Sequence, residues 1–252
     1  MRYILVISQQ DAEKSKVFSR YGNLFPAYTG YTVRSDGHLY SSGKMFFRGG
    51  MLFITLSQKY DMRRNVDLMR EITTVCRRHS SAGIVLSSQF DCSRLCEMLR
   101  RNLSCEIYSD CEKCAPPCKI IISSAISGGS LRERLASASE KYGKENISLG
   151  IEPVRCDFTL PSYGGVGKSM TLYETQEQIR RYRVRSFYSD ELCENYYTYR
   201  ENGNAHMVLF DNSISIKRKI ALSASLGISD VFMAYPDVSE ILSGIIAADP
   251  RV

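Results

Sequence analysis

The segment Lys144-Glu-Asn-Ile-Ser-Leu-Gly-Ile-Glu-Pro-Val-Arg-Cys-Asp-Phe-Thr-Leu-Pro161 is the most informative part of this 252-residue chain. Within it, Ile147–Phe158 contains enough apolar residues to be a strand candidate. A helical pattern over Leu131–Tyr142 precedes this strand, and a second one over Leu172–Tyr182 follows it. The segment therefore predicts one strand of a sheet in which strands and helices alternate along the chain.

The same alternation extends over the rest of the sequence and predicts a closed α/β barrel. Eight strand candidates make a single (β/α)8 TIM barrel the expected fold. The strand candidates are Tyr3–Ile7, Phe25–Val33, Met51–Leu56, Gly83–Ser88, Cys105–Tyr108, Lys119–Ser124, Ile147–Phe158 and Ile228–Ala234. The helix candidates are Ala12–Tyr21, Arg63–Arg78, Ser93–Asn102, Leu131–Tyr142, Leu172–Tyr182, Ile214–Leu226 and Val238–Ala248.

Two hairpins interrupt the alternation. Tyr31–Tyr40 has a turn sequence at its centre, and an Asn-Gly turn joins Tyr196–Arg200 to Ala205–Phe210. The second hairpin predicts a small β-hairpin insertion, at about residues 186–211, before the last helix–strand unit. Because no Pro/Ser-rich linker or internal repeat divides the chain, we expect one domain over residues 1–252.

Composition favours a soluble globular protein and gives little support to a nucleic-acid partner. Hydrophobic residues make up 44% of the chain, and the net charge is +6. No run of Lys and Arg interleaved with aromatic residues is present, so no nucleic acid is expected. The apolar run Tyr3–Ile7 is too short for a signal peptide or a membrane span. We therefore expect a cytoplasmic protein, and no feature implies a cofactor.

The nine cysteines predict reduced thiols, because their number is odd and no signal peptide is evident. Cys111, Cys114 and Cys118, with Cys105 upstream, have part of the spacing of a zinc site. A second close pair at the usual distance is missing from this pattern. We therefore expect no metal and retain these four cysteines only as a weak candidate site.

The segment Gly164-Gly-Val-Gly-Lys-Ser169 suggests phosphate or nucleotide binding as an alternative function. It is similar to the glycine-rich loop whose amides surround phosphates. However, Ser162 stands where the usual pattern has a glycine. Pro153 and Asp157 also make the preceding segment a poor buried central strand.

Lys144–Pro161 resembles the seventh-strand segment of family-18 glycoside hydrolases, in particular the spore-germination, peptidoglycan-directed branch. The resemblance resumes at Tyr197–Asp211, which is similar to the family's hairpin, and continues through Ser215 and Lys219. It implies a TIM barrel. It also places Gly164–Ser169 in a glycine-rich loop that binds no nucleotide.

The same resemblance implies that the active site is degenerate. Family-18 enzymes carry Asp-Gly-x-Asp-x-Asp-x-Glu on the fourth strand, where the Glu protonates the glycosidic oxygen and the last Asp orients the substrate's acetamido group. Here the corresponding residues are Ala82–Gln89, with Gln89 in the place of the acid and Ser87 in the place of the orienting Asp. An amide cannot act as a general acid. The sequence therefore predicts a non-catalytic glycan-binding or structural protein.

An active glycosidase on N-acetylglucosamine-containing glycans is the alternative within the same resemblance. It would need relocated acids, for which Asp157 and Asp91 are the candidates. In either case we expect a glycan ligand at the barrel mouth, bound near Gln89, Asp157, Tyr163 and Tyr235.

Overall fold

The protein folds into a closed barrel of eight parallel strands. A computed structural model describes residues 1–56, 59–116, 118–126, 128–161 and 166–246. The first strand pairs with both the second and the last, which closes the sheet and confirms the predicted (β/α)8 barrel. The barrel strands are β1 (Arg2–Ser8), β2 (Leu24–Val33), β4 (Met51–Leu56), β5 (Gly83–Ser88), β6 (Glu106–Ser109), β7 (Lys119–Ser123), β8 (Ile147–Ile151) and β14 (Asp230–Ala234).

Helices follow the barrel strands much as predicted. The predicted first helix is divided at Lys16, whose left-handed conformation (φ 50°) ends one helix before the next begins. The predicted last helix is also divided, and its residues 247–248 lie outside the described ranges. The helices are α1 (Gln9–Ser15), α2 (Val17–Arg20), α3 (Asn65–His79), α4 (Ser93–Asn102), α5 (Leu131–Tyr142), α6 (Leu172–Tyr182), α7 (Ser213–Ser225), α8 (Tyr235–Val238) and α9 (Leu242–Ile246). Within the described ranges, none of them has the length and apolar character needed to cross a bilayer.

A second, antiparallel sheet is inserted between β8 and α7, which confirms the predicted hairpin insertion and enlarges it. The predicted strand Ile147–Phe158 is wrong in its second half, because β8 ends at Ile151 and the chain then joins the other sheet. Pro153 lies at this break, where it has no N–H for a ladder hydrogen bond. The insertion sheet has the order β10-β9-β13-β12-β11 and consists of β9 (Arg155–Leu160), β10 (Lys168–Ser169), β11 (Phe187–Ser189), β12 (Glu194–Glu201) and β13 (Asn204–Phe210). The earlier predicted hairpin is formed by β2 and β3 (Leu39–Ser41).

Side chains alternate between the barrel interior and the helical layer, which fixes what reaches the barrel mouth. On β5, Val85 belongs to the apolar cluster of the interior. Its neighbours Ile84 and Leu86 belong to the core shared with the surrounding helices. Ser87, two residues after Val85, therefore lies on the interior face near the carboxyl end of the strand. The interior cluster consists of Ile4, Ala27, Met51, Val85, Tyr108 and Phe232.

Candidate functional site

The carboxyl end of β5 holds the residues that the sequence resemblance aligns with the catalytic positions of the family pattern. Ser87 is half-buried, and its hydroxyl donates a hydrogen bond to Asp110 Oδ2 at 2.5 Å. The Ser88 backbone N–H donates to Asp110 Oδ1 at 2.8 Å. The two strand ends meet because Leu86 of β5 pairs with Ser109 of β6. Asp110 is thus the carboxylate next to the position of the orienting Asp.

Gln89 follows β5 directly and is exposed to solvent at the mouth. The preceding Ser88 turns the chain here: its hydroxyl accepts from the Phe90 N–H at 3.1 Å and donates to the Phe90 carbonyl at 2.8 Å. The Gln89 amide can donate to and accept from a sugar hydroxyl, but it has no acidic proton to transfer.

Val85 occupies the middle Asp position of the same pattern. Its side chain is fully buried, among interior residues that include Met51 and Tyr108. A carboxylate placed in this apolar cluster would be costly unless it were paired. The residues that the resemblance aligns with three of the family's acidic positions are therefore Val85, Ser87 and Gln89, which carry an alkyl group, a hydroxyl and an amide.

Asp157 lies on β9 of the insertion sheet and not on a barrel strand, which differs from its expected place. Its Oδ2 accepts a hydrogen bond from the Tyr199 hydroxyl at 2.5 Å, and its Oδ1 is 3.1 Å from His206 Nδ1. Tyr199 stacks on His206 and on Tyr182, with ring centroids 4.6 and 4.4 Å apart. Burial and the hydrogen bond to Asp157 raise the pKa of Tyr199, so this hydroxyl remains a donor. Asp157 is therefore an acceptor that organises the face of the sheet covered by α6.

The other predicted ligand and acid positions are separate from Asp157. Asp91 is exposed, and its Oδ1 accepts from the Ser93 N–H at 2.9 Å, at the start of α4. Tyr235 is the first residue of α8 and is half-buried against the core. Tyr163 lies outside the described residues. Among the described residues, no hydrogen bond or ion pair joins Asp91 to Asp157.

The described part of the glycine-rich segment forms a strand. Lys168 and Ser169 make up β10, which pairs with Asp157 and Cys156 of β9. A glycine-rich phosphate-binding loop places its Lys-Ser pair at the beginning of a helix, where backbone amides point at the phosphate. Gly164, Gly165 and the preceding Ser162 lie outside the described residues. The local geometry at Lys168 therefore does not favour nucleotide binding.

Asp211, Ser215 and Lys219, which contribute to the resemblance, meet in a buried cluster that the sequence did not predict. Lys219 Nζ donates to Asp211 Oδ2 at 2.7 Å and to Glu194 Oε1 at 2.9 Å. We call Lys219, Glu194 and Asp211 the buried triad, because all three side chains are 0% exposed. Ser215 Oγ donates to Asp211 Oδ1 at 2.7 Å. The triad therefore joins α7 to the insertion sheet.

The four cysteines named as a weak metal candidate divide between two environments. Cys105 and Cys111 are half-buried, whereas Cys114 and Cys118 are buried. Cys114 lies against Cys92 and Cys96, which the sequence pattern did not include.

Comparisons with known proteins establish the fold. No family model and no curated protein matches the chain. The spore cortex-lytic enzyme SleL from Bacillus cereus is 16% identical with a TM-score of 0.68, and the match covers 100% of this chain and 75% of SleL. A chitinase from Chromobacterium violaceum is 14% identical, with a TM-score of 0.70 and coverage of 98% and 99%.

A class V chitinase mutant from Cycas revoluta, whose structure is a complex with (GlcNAc)3, is 14% identical with a TM-score of 0.62 and coverage of 98% of both chains. At these identities the matches show a shared fold. The chain has the fold of chitinases and spore cortex-lytic enzymes, so the resemblance to family-18 glycoside hydrolases is confirmed at the level of fold.

Proposed function

We propose that this protein is a glycan-binding barrel that has lost general acid catalysis at the end of β5. The observation that supports this proposal is the set of side chains at the three interior-facing positions of the family pattern. Val85 is buried in an apolar cluster, Ser87 is hydrogen-bonded to Asp110, and Gln89 is an exposed amide. None of these three side chains can donate a proton as a carboxylic acid does.

The expected loss of rate follows from the reaction. Cleavage of a glycosidic bond needs a proton donor within hydrogen-bond distance of the leaving oxygen, and a positioned general acid contributes typically about 10²–10⁴-fold. The orienting Asp also stabilises the positive charge that develops when the acetamido oxygen attacks. A neutral Ser87, already hydrogen-bonded to Asp110, offers little of this stabilisation.

The proposed ligand class is an oligosaccharide that contains N-acetylglucosamine. The Cycas revoluta chitinase was solved in complex with (GlcNAc)3, and SleL is a spore cortex-lytic enzyme. The barrel mouth here offers the Gln89 amide and the Asp110 carboxylate as hydrogen-bond partners for sugar hydroxyls. Tyr235 offers an aromatic ring at the end of the last strand.

Calorimetry and product analysis with chitotriose and with purified spore cortex fragments test this proposal. We expect saturable binding of at least one of the two probes, with no hydrolysis above the buffer rate. Gln89→Ala should weaken binding about tenfold, the effect of about one hydrogen bond in a desolvated site. Gln176→Ala, an exposed amide on α6, is the matched control and should bind normally. Hydrolysis at an ordinary enzymatic rate that survives Gln89→Ala would contradict the proposal.

A second candidate function is hydrolysis with Asp110 as a relocated carboxylate. Asp110 is exposed at the end of the neighbouring strand and lies within hydrogen-bond distance of Ser87. This placement favours it over Asp157, whose side chain is only 9% exposed and is hydrogen-bonded within the insertion sheet. If the protein hydrolyses either probe, Asp110→Asn should abolish turnover, whereas Asp157→Asn and Asp91→Asn should leave most of it.

A further inference from the structure

Four cysteines from two consecutive strand–helix units come together beside the barrel. Cys92 lies just before α4, and Cys96 lies one turn further along the same helix. Cys114 ends a short 3-10 turn after β6, and Cys118 directly precedes β7. All four thiols are buried, with 1, 0, 0 and 3% exposure of the residues in chain order. They form a compact sulfur cluster with little access to solvent.

The distances between the sulfur atoms are those of ligands that share one ion. Cys92 Sγ is 3.2 Å from Cys114 Sγ and 3.9 Å from Cys96 Sγ, and the three sulfurs all lie within 4.8 Å of one another. Cys118 lies beside Cys96 and is the nearest candidate for a fourth ligand, although its sulfur is not one of the three that all lie within 4.8 Å of one another. Ligands at about 2.3 Å from a tetrahedral Zn²⁺ are separated from one another by about 3.8 Å. The observed separations lie on either side of this value.

The local backbone brings the cysteines together in two pairs, Cys92 with Cys96 and Cys114 with Cys118. Cys92 and Cys96 are four residues apart, so the helix places them on one face. The Cys118 N–H donates to the Cys114 carbonyl at 3.3 Å, which closes the turn between the second pair. The chain therefore contains two Cys-x-x-x-Cys pairs, and the pairing of β5 with β6 brings them together. Cys105 and Cys111 belong to neither pair.

A backbone amide points at one sulfur atom of the cluster. The Cys92 N–H donates to Cys114 Sγ at 3.4 Å, which is a common way of stabilising a metal-bound thiolate. Without an ion, four buried thiols have mainly one another as weak hydrogen-bond partners.

We propose that Cys92, Cys96, Cys114 and Cys118 bind one Zn²⁺ ion in a closed structural site. Four thiolates complete a tetrahedral shell and leave no open position for a substrate or water, which distinguishes a structural from a catalytic zinc site. Each thiol that binds releases its proton to solvent. The ion ties the connection between β6 and β7 to the beginning of α4, and it stabilises the barrel wall next to Asp110.

Metal analysis of the full chain, purified under reducing conditions and supplied with one equivalent of Zn²⁺ before desalting, tests the site. We expect about one Zn²⁺ per chain for the wild type and less than about a tenth of that for Cys96→Ser and Cys114→Ser. Cys76→Ser is the matched control, because Cys76 is a buried thiol of the same core and belongs to neither pair. It should retain the full metal content.

Two measurements on the wild type keep the test decisive if a variant does not fold. Replacement of Zn²⁺ by Co²⁺ should give the visible absorption of a tetrahedral tetrathiolate complex. A separate preparation that is purified without reductant and then denatured in a chelator should titrate nine free thiols. A deficit of two or four thiols would show disulfides in place of the ion. Nine thiols without the Co²⁺ spectrum would show an unligated cluster, and either result would overturn the proposal.

Discussion

Two charged clusters in this molecule show opposite electrostatic behaviour. The buried triad joins α7 to the insertion sheet and contains one cation and two carboxylates. The second group, which we call the basal cluster, lies at the amino-terminal end of the barrel strands and contains two cations and two carboxylates. The basal cluster consists of Arg2, Glu106, Lys119 and Asp230, each of which is the first residue of its strand.

The two clusters differ in exposure as well as in charge balance. Burial raises the pKa of Glu194 in the triad to about 7, despite the neighbouring Lys219. Burial also acts on Glu106 in the basal cluster, but hydrogen bonds from Lys119 and Arg2 outweigh it and lower the pKa to about 2. The side chain of Glu106 is 36% exposed, whereas that of Glu194 is 0% exposed. The same residue type is thus shifted in opposite directions by the number of cations per carboxylate and by the access of water.

The largest effect is expected when the cation of the buried triad is removed. Lys219→Met leaves Glu194 and Asp211 buried without their shared partner. Breaking a buried pair from one side typically costs about 3–5 kcal/mol, because an uncompensated charge remains. Urea denaturation should show a loss of this size. Lys217→Met, two residues earlier and partly exposed, is the control and should change stability by about 0.5 kcal/mol or less.

The second-largest difference between the two clusters is expected in the pH dependence of stability. Glu194 binds its proton more tightly in the folded state, because its pKa rises from 4.5 to about 7. Between these values the folded chain holds more protons than the unfolded chain, so stability falls as pH rises through this window. The expected loss is on the order of 3 kcal/mol. Unfolding midpoints in urea at pH 5 and pH 7.5 measure it, and Glu194→Gln should remove most of the difference. A wild-type slope that is unchanged in Glu194→Gln would assign the effect to other groups.

Most of the barrel could be predicted from the sequence, because most barrel strands contain a short apolar run that is largely buried. The error at the seventh strand has a local cause. Residues 147–158 contain apolar residues on both sides of Pro153, and this proline, which has no N–H, lies between β8 and β9. The resulting change of sheet moves Asp157 away from the barrel strands and into hydrogen bonds with Tyr199 and His206.

The candidate sites were harder to predict from the sequence than the barrel, because they depend on contacts between segments that are distant in the chain. The position of Ser87 on the interior face follows from alternation along one strand. Asp110 was missed, because its distance from Ser87 depends on the register between β5 and β6. The sulfur cluster was missed for the same reason, since Cys92 and Cys114 belong to different strand–helix units. The repeated Cys-x-x-x-Cys spacing was the signal that could have suggested it.

A smaller effect is expected when a cation of the basal cluster is removed. Arg2 donates hydrogen bonds to Asp230 at 2.9 and 3.0 Å and to Glu106 at 2.7 Å. After Arg2→Met, Lys119 still lies 2.6 Å from Glu106 and 4.0 Å from Asp230. Because water and Lys119 compensate in part, we expect a loss of about 1–2 kcal/mol in urea denaturation. A loss as large as that of Lys219→Met would show that exposure does not distinguish the clusters.

The basal cluster should also respond to acid, with a sign opposite to that of Glu194. The pKa of Glu106 is lowered from 4.5 to about 2 in the folded state, so its stabilising contribution is present above pH 4.5 and is lost as pH falls toward 2. Because the side chain is 36% exposed, solvent screening reduces this contribution to about 1 kcal/mol or less. Glu106→Gln should flatten the fall in urea midpoint between pH 5 and pH 3. Glu140→Gln, an exposed acid on α5, should leave the fall as in the wild type.

Added salt should produce the smallest difference in stability between the variants of the two clusters. It tests directly how far each cluster is exposed to solvent. At 1 M ionic strength the Debye length is about 3 Å, so partly exposed pairs are screened while a dry pair is not. The destabilisation caused by Arg2→Met should therefore shrink by about 0.5 kcal/mol between 0.05 and 1 M sodium chloride. Salt weakens the Arg2 ion pairs of the wild type, and the variant does not have these pairs. The destabilisation caused by Lys219→Met should stay constant, since no counterion reaches its fully buried partners. Equal salt dependence in the two variants would mean that water enters the buried triad, and the raised pKa of Glu194 would then need a different cause.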